Sequence, residues 1–109
     1  MRKVNQVKLL SGVTTVGAGA AARLDTGCRA ATFQAVGATT SGAGTAAVEV
    51  QVSNDGINWI TDSTINLALS ATSSSAGAVM DEAWVFVRGN IPAGGITGTG
   101  ASVSLIMGS

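Results

Sequence analysis

Hydrophobic and polar residues alternate with a period of two in segment after segment of this chain, and no apolar stripe recurs at helical spacing. In VEVQV, Val48, Val50 and Val52 fall on one face, with Glu49 and Gln51 on the other. INLALS sends Ile65, Leu67 and Leu69 one way and Asn66, Ala68 and Ser70 the other. SVSLIM separates Val103, Leu105 and Met107 from Ser102 and Ser104 in the same manner. Successive side chains of a strand point to opposite faces, so each pattern predicts a half-buried strand. Further strands are predicted in VNQVKLL, in EAWVFVRGN, and in GCRAATFQAVG, whose small residues leave its two faces indistinct. The segments GATTSGAGT, SNDG, SATSSSAGA and GNIPAGGITGTG read as turn material. VGAGAAARL and the alanines around residue 30 have some helix propensity, but their glycines and the missing apolar stripe weigh for strand or loop. About seven or eight short strands, with a turn roughly every ten residues, predict an all-β chain folded as one antiparallel β-sandwich or jelly roll. It spans residues 1–109, with residues 1–10 a basic arm or an edge strand.

Two segments depart from simple alternation. In AWVFVR, Trp84, Phe86 and Arg88 share one face while Ala83, Val85 and Val87 line the other. A strand apolar on both sides is covered on both sides, either by loops of its own chain, the reading favoured here, or by another subunit. In SNDGINW, Asp55-Gly56 between alternating strands is a strong hairpin signal, because glycine tolerates the positive φ of the turn. A loop of Asp55-Gly56, or of Asn54 to Ile57, sets Trp59 opposite Val52 on the valine face. A loop of Asn54 to Gly56 sets it opposite Gln51, on the outer face, since a slip of one residue changes the side. The large apolar area of an indole favours the first, so Asp55, Gly56, Trp59 and Trp84 are assigned to hairpin and core. SNDGINW also resembles the sialidase Asp-box, Ser-x-Asp-x-Gly-x-x-Trp, but Gly56 follows Asp55 directly and the spacing fails. It is similar to a hairpin of discoidin-type carbohydrate-binding sandwiches, where the motif is architectural.

Composition narrows the chemistry. Gly, Ala, Ser and Thr make up 56 of the 109 residues, while Val, Ile, Leu, Phe, Trp and Met supply 31. So many small side chains predict a thin core that gains from burying more surface against a partner. There is no histidine and no tyrosine, and the single Cys28 can form no internal disulfide and reads as a small buried apolar residue. No Cys/His cluster holds a metal, and no nucleophile has a histidine base. The adjacent Asp81 and Glu82 precede a strand, where alternation points them apart. GAGAAA and GGITGTG lack the lysine-serine ending of a P-loop and the strand-to-helix setting of a dinucleotide site. The expectation is a protein without catalytic residues, cofactor, metal or small-molecule substrate.

Formal net charge is zero, which argues against nucleic acid as a partner. The charge is nevertheless segregated. Residues 1–29 carry Arg2, Lys3, Lys8, Arg23 and Arg29 against Asp25, and the rest carry Arg88 against Glu49, Asp55, Asp62, Asp81 and Glu82. The five N-terminal cations are therefore candidate contacts to neighbouring subunits or to an acidic surface, beside the simpler reading of a solvated basic terminus. The longest apolar run of the N-terminal segment, Leu9-Leu10, is far short of a signal peptide's core or a membrane span. The expected site of synthesis and assembly is the cytoplasm, with no membrane partner.

The segment CRAATFQAVGATTSGAGTAAVEVQVSNDGINWI, then INLALS, then WVFVRGNI and ITGTGASVSLIMG, resembles small virion proteins of tailed bacteriophages over residues 28 to 108. The shared features are a Thr-Phe-Gln-Ala strand, a Gly/Ala/Thr loop, a VEVQVSNDG-x-NW hairpin, a W-x-x-VR strand and a final GTGA strand. The resemblance implies a capsid cement or decoration protein on the virion surface, assembled in the host cytoplasm. It would act as a dimer or trimer that clamps neighbouring major capsid subunits. The alternatives are a carbohydrate-binding sandwich of a fibre or spike, or another virion part such as a head–tail connector or tail-tube protein. The confinement of Phe33, Trp59, Trp84 and Phe86 to strands weighs against the sugar-binding alternative. A pilin-like subunit fits less well, because an export signal and a disulfide are missing.

Overall fold

A computed structural model describes residues 6–24, 31–80 and 84–108. Arg2, Lys3, Cys28, Arg29, Asp81 and Glu82 lie outside the described residues. The strands are β1 (Gln6–Val13), β2 (Gly17–Ala18), β3 (Ala22–Arg23), β4 (Ala31–Ala38), β5 (Ser41–Ser53), β6 (Ile60–Leu69), β7 (Ser74–Met80), β8 (Phe86–Ile91), β9 (Ile96–Thr99) and β10 (Ser102–Gly108). One sheet has the order β1-β10-β4-β7, and the other β2-β8-β5-β6, with β3 also beside β8 and β9 beside β5. Every pairing is antiparallel. The chain is thus an all-β sandwich, and β1 is an edge strand of its first sheet.

Alternation places the core where the sequence predicts it. Val48, Val50 and Val52 from β5, Ile65, Leu67 and Leu69 from β6, and Val103, Leu105 and Met107 from β10 are all buried in one cluster between the sheets. In β4, whose faces the sequence leaves indistinct, Ala31, Phe33 and Ala35 point inward while Thr32 and Gln34 are exposed. The result is a thin layer, about 18 Å across its short axis.

Strands among the described residues exceed the predicted number because VGAGAAARL carries β2 and β3 and two of the predicted turn segments carry β7 and β9, while a third lengthens β5. SATSSSAGA contains most of β7, GATTSGAGT the start of β5, and GNIPAGGITGTG the whole of β9. Serine, glycine and alanine have weak intrinsic strand preference, and neighbouring strands override it. β7 is held by a full run of pairs from Ala31↔Met80 to Gly37↔Ser74. β9 is held against the first half of β5 by Thr45↔Thr97 and Ala46↔Ile96.

The strand with two apolar faces is shorter than AWVFVR suggests. β8 begins at Phe86, with Val87, Gly89 and Ile91 buried inward and Phe86, Arg88 and Asn90 outward. Trp84 precedes the strand and escapes its alternation. It packs against the core, half-buried, with its indole Nε1 buried and unpartnered among the described residues. Phe86 is covered from outside by the β5–β6 loop, whose Gly56 lies against the ring.

Candidate functional site

The β5–β6 connection is wider than any of the three predicted turns. Val52 pairs with Ile60 and Gln51 with Thr61, so residues 54–59 form the loop. The reason lies in side chains that take over the backbone bonds of a tight hairpin. Asp55 Oδ1 accepts from the backbone N–H of Ile57 and of Asn58, each at 2.9 Å, and from Ser53 Oγ at 2.8 Å. Asp55 Oδ2 accepts from Asn58 Nδ2 at 2.9 Å. Ser53 Oγ in turn accepts from the N–H of Gly56 at 2.9 Å and of Asp55 at 3.2 Å. Gly56 supplies the left-handed step, with φ of 72°. Asn54 Oδ1 accepts from the N–H of Val85 at 3.2 Å and ties the loop to the start of β8.

These bonds hold the Asp55 carboxyl far below the ordinary carboxylate range, through the backbone N–H of Asn58 first, then that of Ile57, then the side chains of Asn58 and Ser53. A depressed folded-state pKa means that the stability contributed by Asp55 is complete above its unfolded value, near 3.9. It declines as the pH falls below that value and is gone once the folded-state pKa is passed. Asp55→Asn places an N–H where Asn58 Nδ2 donates. Denaturant titrations should therefore find the variant less stable than the parent at pH 7, by a margin that shrinks steadily below about pH 4. A margin independent of pH would show that the carboxylate charge does not hold the loop.

The wider loop reverses the assignment of Trp59. Instead of joining the valine face, the half-buried indole stands on the Glu49/Gln51 side, with the Arg88 guanidinium carbon 4.3 Å from its ring centroid. Cation–π stacking and the loop geometry outweigh the burial that the indole would gain inside.

Arg88 is opposite Gln51, and Asn90 opposite Glu49, in the β5–β8 ladder. Arg88 Nε donates to Gln51 Oε1 at 2.7 Å, and Asn90 Nδ2 donates to Glu49 Oε1 at 2.6 Å. Gln51 Nε2 reaches the same Glu49 oxygen at 3.4 Å. Further along the same face, an open groove of about 420 Å³ is floored by Ala47 and Ala68 and bounded by Thr45, Asn66, Gly94 and Gly95. Ala47 lies two residues from Glu49 on β5 and opposite Asn66 of β6, so the groove and the Glu49–Asn90 pair share one face of the sheet. The Pro92–Gly95 turn forms its wall, pinned by Ala47 N–H donating to Gly95 O at 2.6 Å.

Of the five predicted basic contacts, the two among the described residues lie on different sheets. Lys8 stands exposed on β1 of the first sheet, paired with Ile106, and Arg23 on β3 of the second, paired with Phe86. The face that does assemble, Trp59, Arg88, Gln51, Glu49 and Asn90, is one that sequence reasoning did not single out. Alternation marks Glu49 and Gln51 as outward, but nothing local says that β8 lies beside β5. Among the described residues no group of three or more His, Cys, Asp or Glu is placed to hold a metal ion. No helix among them is long and apolar enough to cross a membrane.

No family model matches the chain, and no curated protein does. A solved structure described as Bacillus endospore appendages that form a novel family of disulfide-linked pili is similar over 99% of this chain and 88% of its own, at 16% identity and a TM-score of 0.39. That likeness is too loose to bear on function.

Proposed function

We propose that the chain is a structural virion protein of the decoration type, which docks on a tailed-phage head and bridges neighbouring major capsid subunits. The observation that carries this reading is the apolar end of the sandwich. Ile57, Ile60 and Val85 are 80%, 57% and 36% exposed; Ile57 lies in the loop that Asp55 and Asn54 hydrogen-bond in place, and Ile60 and Val85 border it. Large aliphatic side chains held out on a preordered loop lose little entropy on docking and gain by leaving water. The sequence resemblance to small virion proteins supplies the partner. Strand order supports a jelly-roll connectivity, in which strands from the two halves of the chain interleave as β1-β10-β4-β7 over β2-β8-β5-β6. The thin core supports self-association as a dimer or trimer on the shell. Each bound subunit stabilises the assembled lattice by mass action.

The test is to mix the purified protein with heads that lack it, then measure occupancy and the temperature at which the heads open. Bound heads should open at a higher temperature, and Ile57→Asp should reduce occupancy about tenfold at limiting protein, the effect of losing one well-buried aliphatic contact. Failure to bind heads, or full occupancy by Ile57→Asp, would overturn this assignment.

A further inference from the structure

We infer that the outer face of the second sheet, from the groove at Thr45 and Asn66 past Glu49 and Arg88 to Trp59, is a glycan-binding surface, with neutral polysaccharide as its ligand class. Three features of that face converge. Its floor is built of Ala47 and Ala68 and its wall of Gly94 and Gly95, so a pyranose ring can approach the sheet closely. From the groove at Thr45 to Gln51 this face follows β5 for roughly 20 Å at the rise of an extended strand, room for several consecutive sugar rings. At its far end stands the half-buried indole of Trp59, with Arg88 stacked on one side of the ring, which leaves the opposite side for the C–H face of a sugar.

The polar groups suit hydroxyls. A sugar hydroxyl both donates and accepts, so adjacent hydroxyls are matched by a carboxylate beside a guanidinium. The bonds within the network engage Glu49 Oε1 and Arg88 Nε. Glu49 Oε2 and the terminal amino groups of Arg88 are not part of those bonds, and neither are the groups of Asn66. The network also fixes these side chains before any ligand arrives, which lowers the entropy cost of binding.

Charge and geometry separate this class from others. Glu49 and Arg88 offset one another on this face, which therefore offers no net positive charge to attract sulfated, uronic or phosphodiester chains. An extended peptide would need backbone donors and acceptors of the kind found at a sheet edge, and this surface is a sheet face. The inference stands apart from shell docking, because Asn66, Glu49 and Arg88 lie on strands β6, β5 and β8 while Ile57 lies in the β5–β6 loop.

Native gel electrophoresis through soluble glucan, mannan, galactan and xylan, each cast in turn, tests the inference. At least one should retard the protein. Trp59→Ala, Glu49→Gln and Asn66→Ala should each weaken the retardation about tenfold, as expected for losing a stacking or hydrogen-bonding partner of a sugar. Ile57→Asp should leave retardation unchanged, which separates it from the head-binding test. Thermal melts confirm that each variant is folded, and the exposed Asn66→Ala keeps the test decisive should Trp59→Ala disturb the loop. No retardation by any of the four polymers would overturn the inference. So would binding confined to alginate or heparin, or equal retardation of Asn66→Ala, Glu49→Gln and the parent.

Discussion

Leu105→Ala should lower the free energy of unfolding by about 3 kcal/mol, within the range measured for leucine truncations in well-packed cores. Leu105 is fully buried on β10, the strand between β1 and β4 in the first sheet. Its neighbours across the ladders are Leu10 and Ala35. Its side chain also crosses to the second sheet, where Leu105 Cδ2 lies 2.9 Å from the point a Cβ on Gly89 would occupy. The leucine therefore fills space on three sides, and neither Ala35 nor Gly89 has side-chain atoms that can swing into the void. The cost includes that cavity as well as the lost transfer energy. In a domain of this size the melting temperature should fall by about 15 °C. The adjacent Ile106 is only half-buried and faces outward. Ile106→Ala should cost less than about 1 kcal/mol, the range of substitutions away from the core. Equal losses at the two positions, by thermal or denaturant unfolding, would contradict the inward assignment of Leu105.

Gly44→Ala should cost about 2–3 kcal/mol, the upper part of the range for overpacking. The added methyl would collide with the backbone carbonyl of Thr97, and would come within 2.9 Å of Thr39 Cγ2 and 3.0 Å of Gly98 Cα. Two of these obstacles are backbone, so β9 must move as a unit away from β5. That movement would break the Thr45–Thr97 hydroxyl contact at 2.8 Å and the Thr45 N–H donating to Thr97 Oγ1 at 3.1 Å. It would also strain the Ala47–Gly95 bond that pins the groove wall. The expected signature is faster amide exchange at Thr45 and Ala47, with the amides of Gln51 and Val52 at the far end of β5 retained. Uniform loss of protection along β5 would instead mean global destabilisation without a local shift of β9.

These two positions mark the two ways in which the chain can be read. Leu105 lies in SVSLIM, where alternation alone assigns its face, because a strand buried on one side must repeat its apolar residues every second position. The same holds for the valines of VEVQV and the apolar positions of INLALS, and for the all-β class that follows from them. Gly44 lies in a segment of glycine, alanine, serine and threonine that reads as a turn. Its place in a strand comes from pairing with Leu69 on one side and from β9 on the other.

The groove and the polar–aromatic cluster on the same face divide the same way. That Glu49 and Gln51 face outward is written in the local pattern. That Arg88 and Asn90 stand beside them is not, since β5 and β8 are brought together by the order of strands in the sheet. Trp59 shows the limit most sharply. Turn chemistry identifies SNDGINW as a hairpin corner, but a single residue of register decides whether the indole enters the core or the outer face. Register here depends on the bonds of Asp55 to Ile57 and Asn58 and on the Arg88 guanidinium waiting beneath the ring, contacts that come into being only in the folded chain. The sequence by itself determined the strands with one apolar face and the inward side of each. Tertiary structure alone decided the strands built of small residues and the face on which Trp59 meets Arg88, because each depends on a partner far away along the chain, whereas the width of the loop is set by bonds among its near neighbours Ser53, Asp55, Ile57 and Asn58.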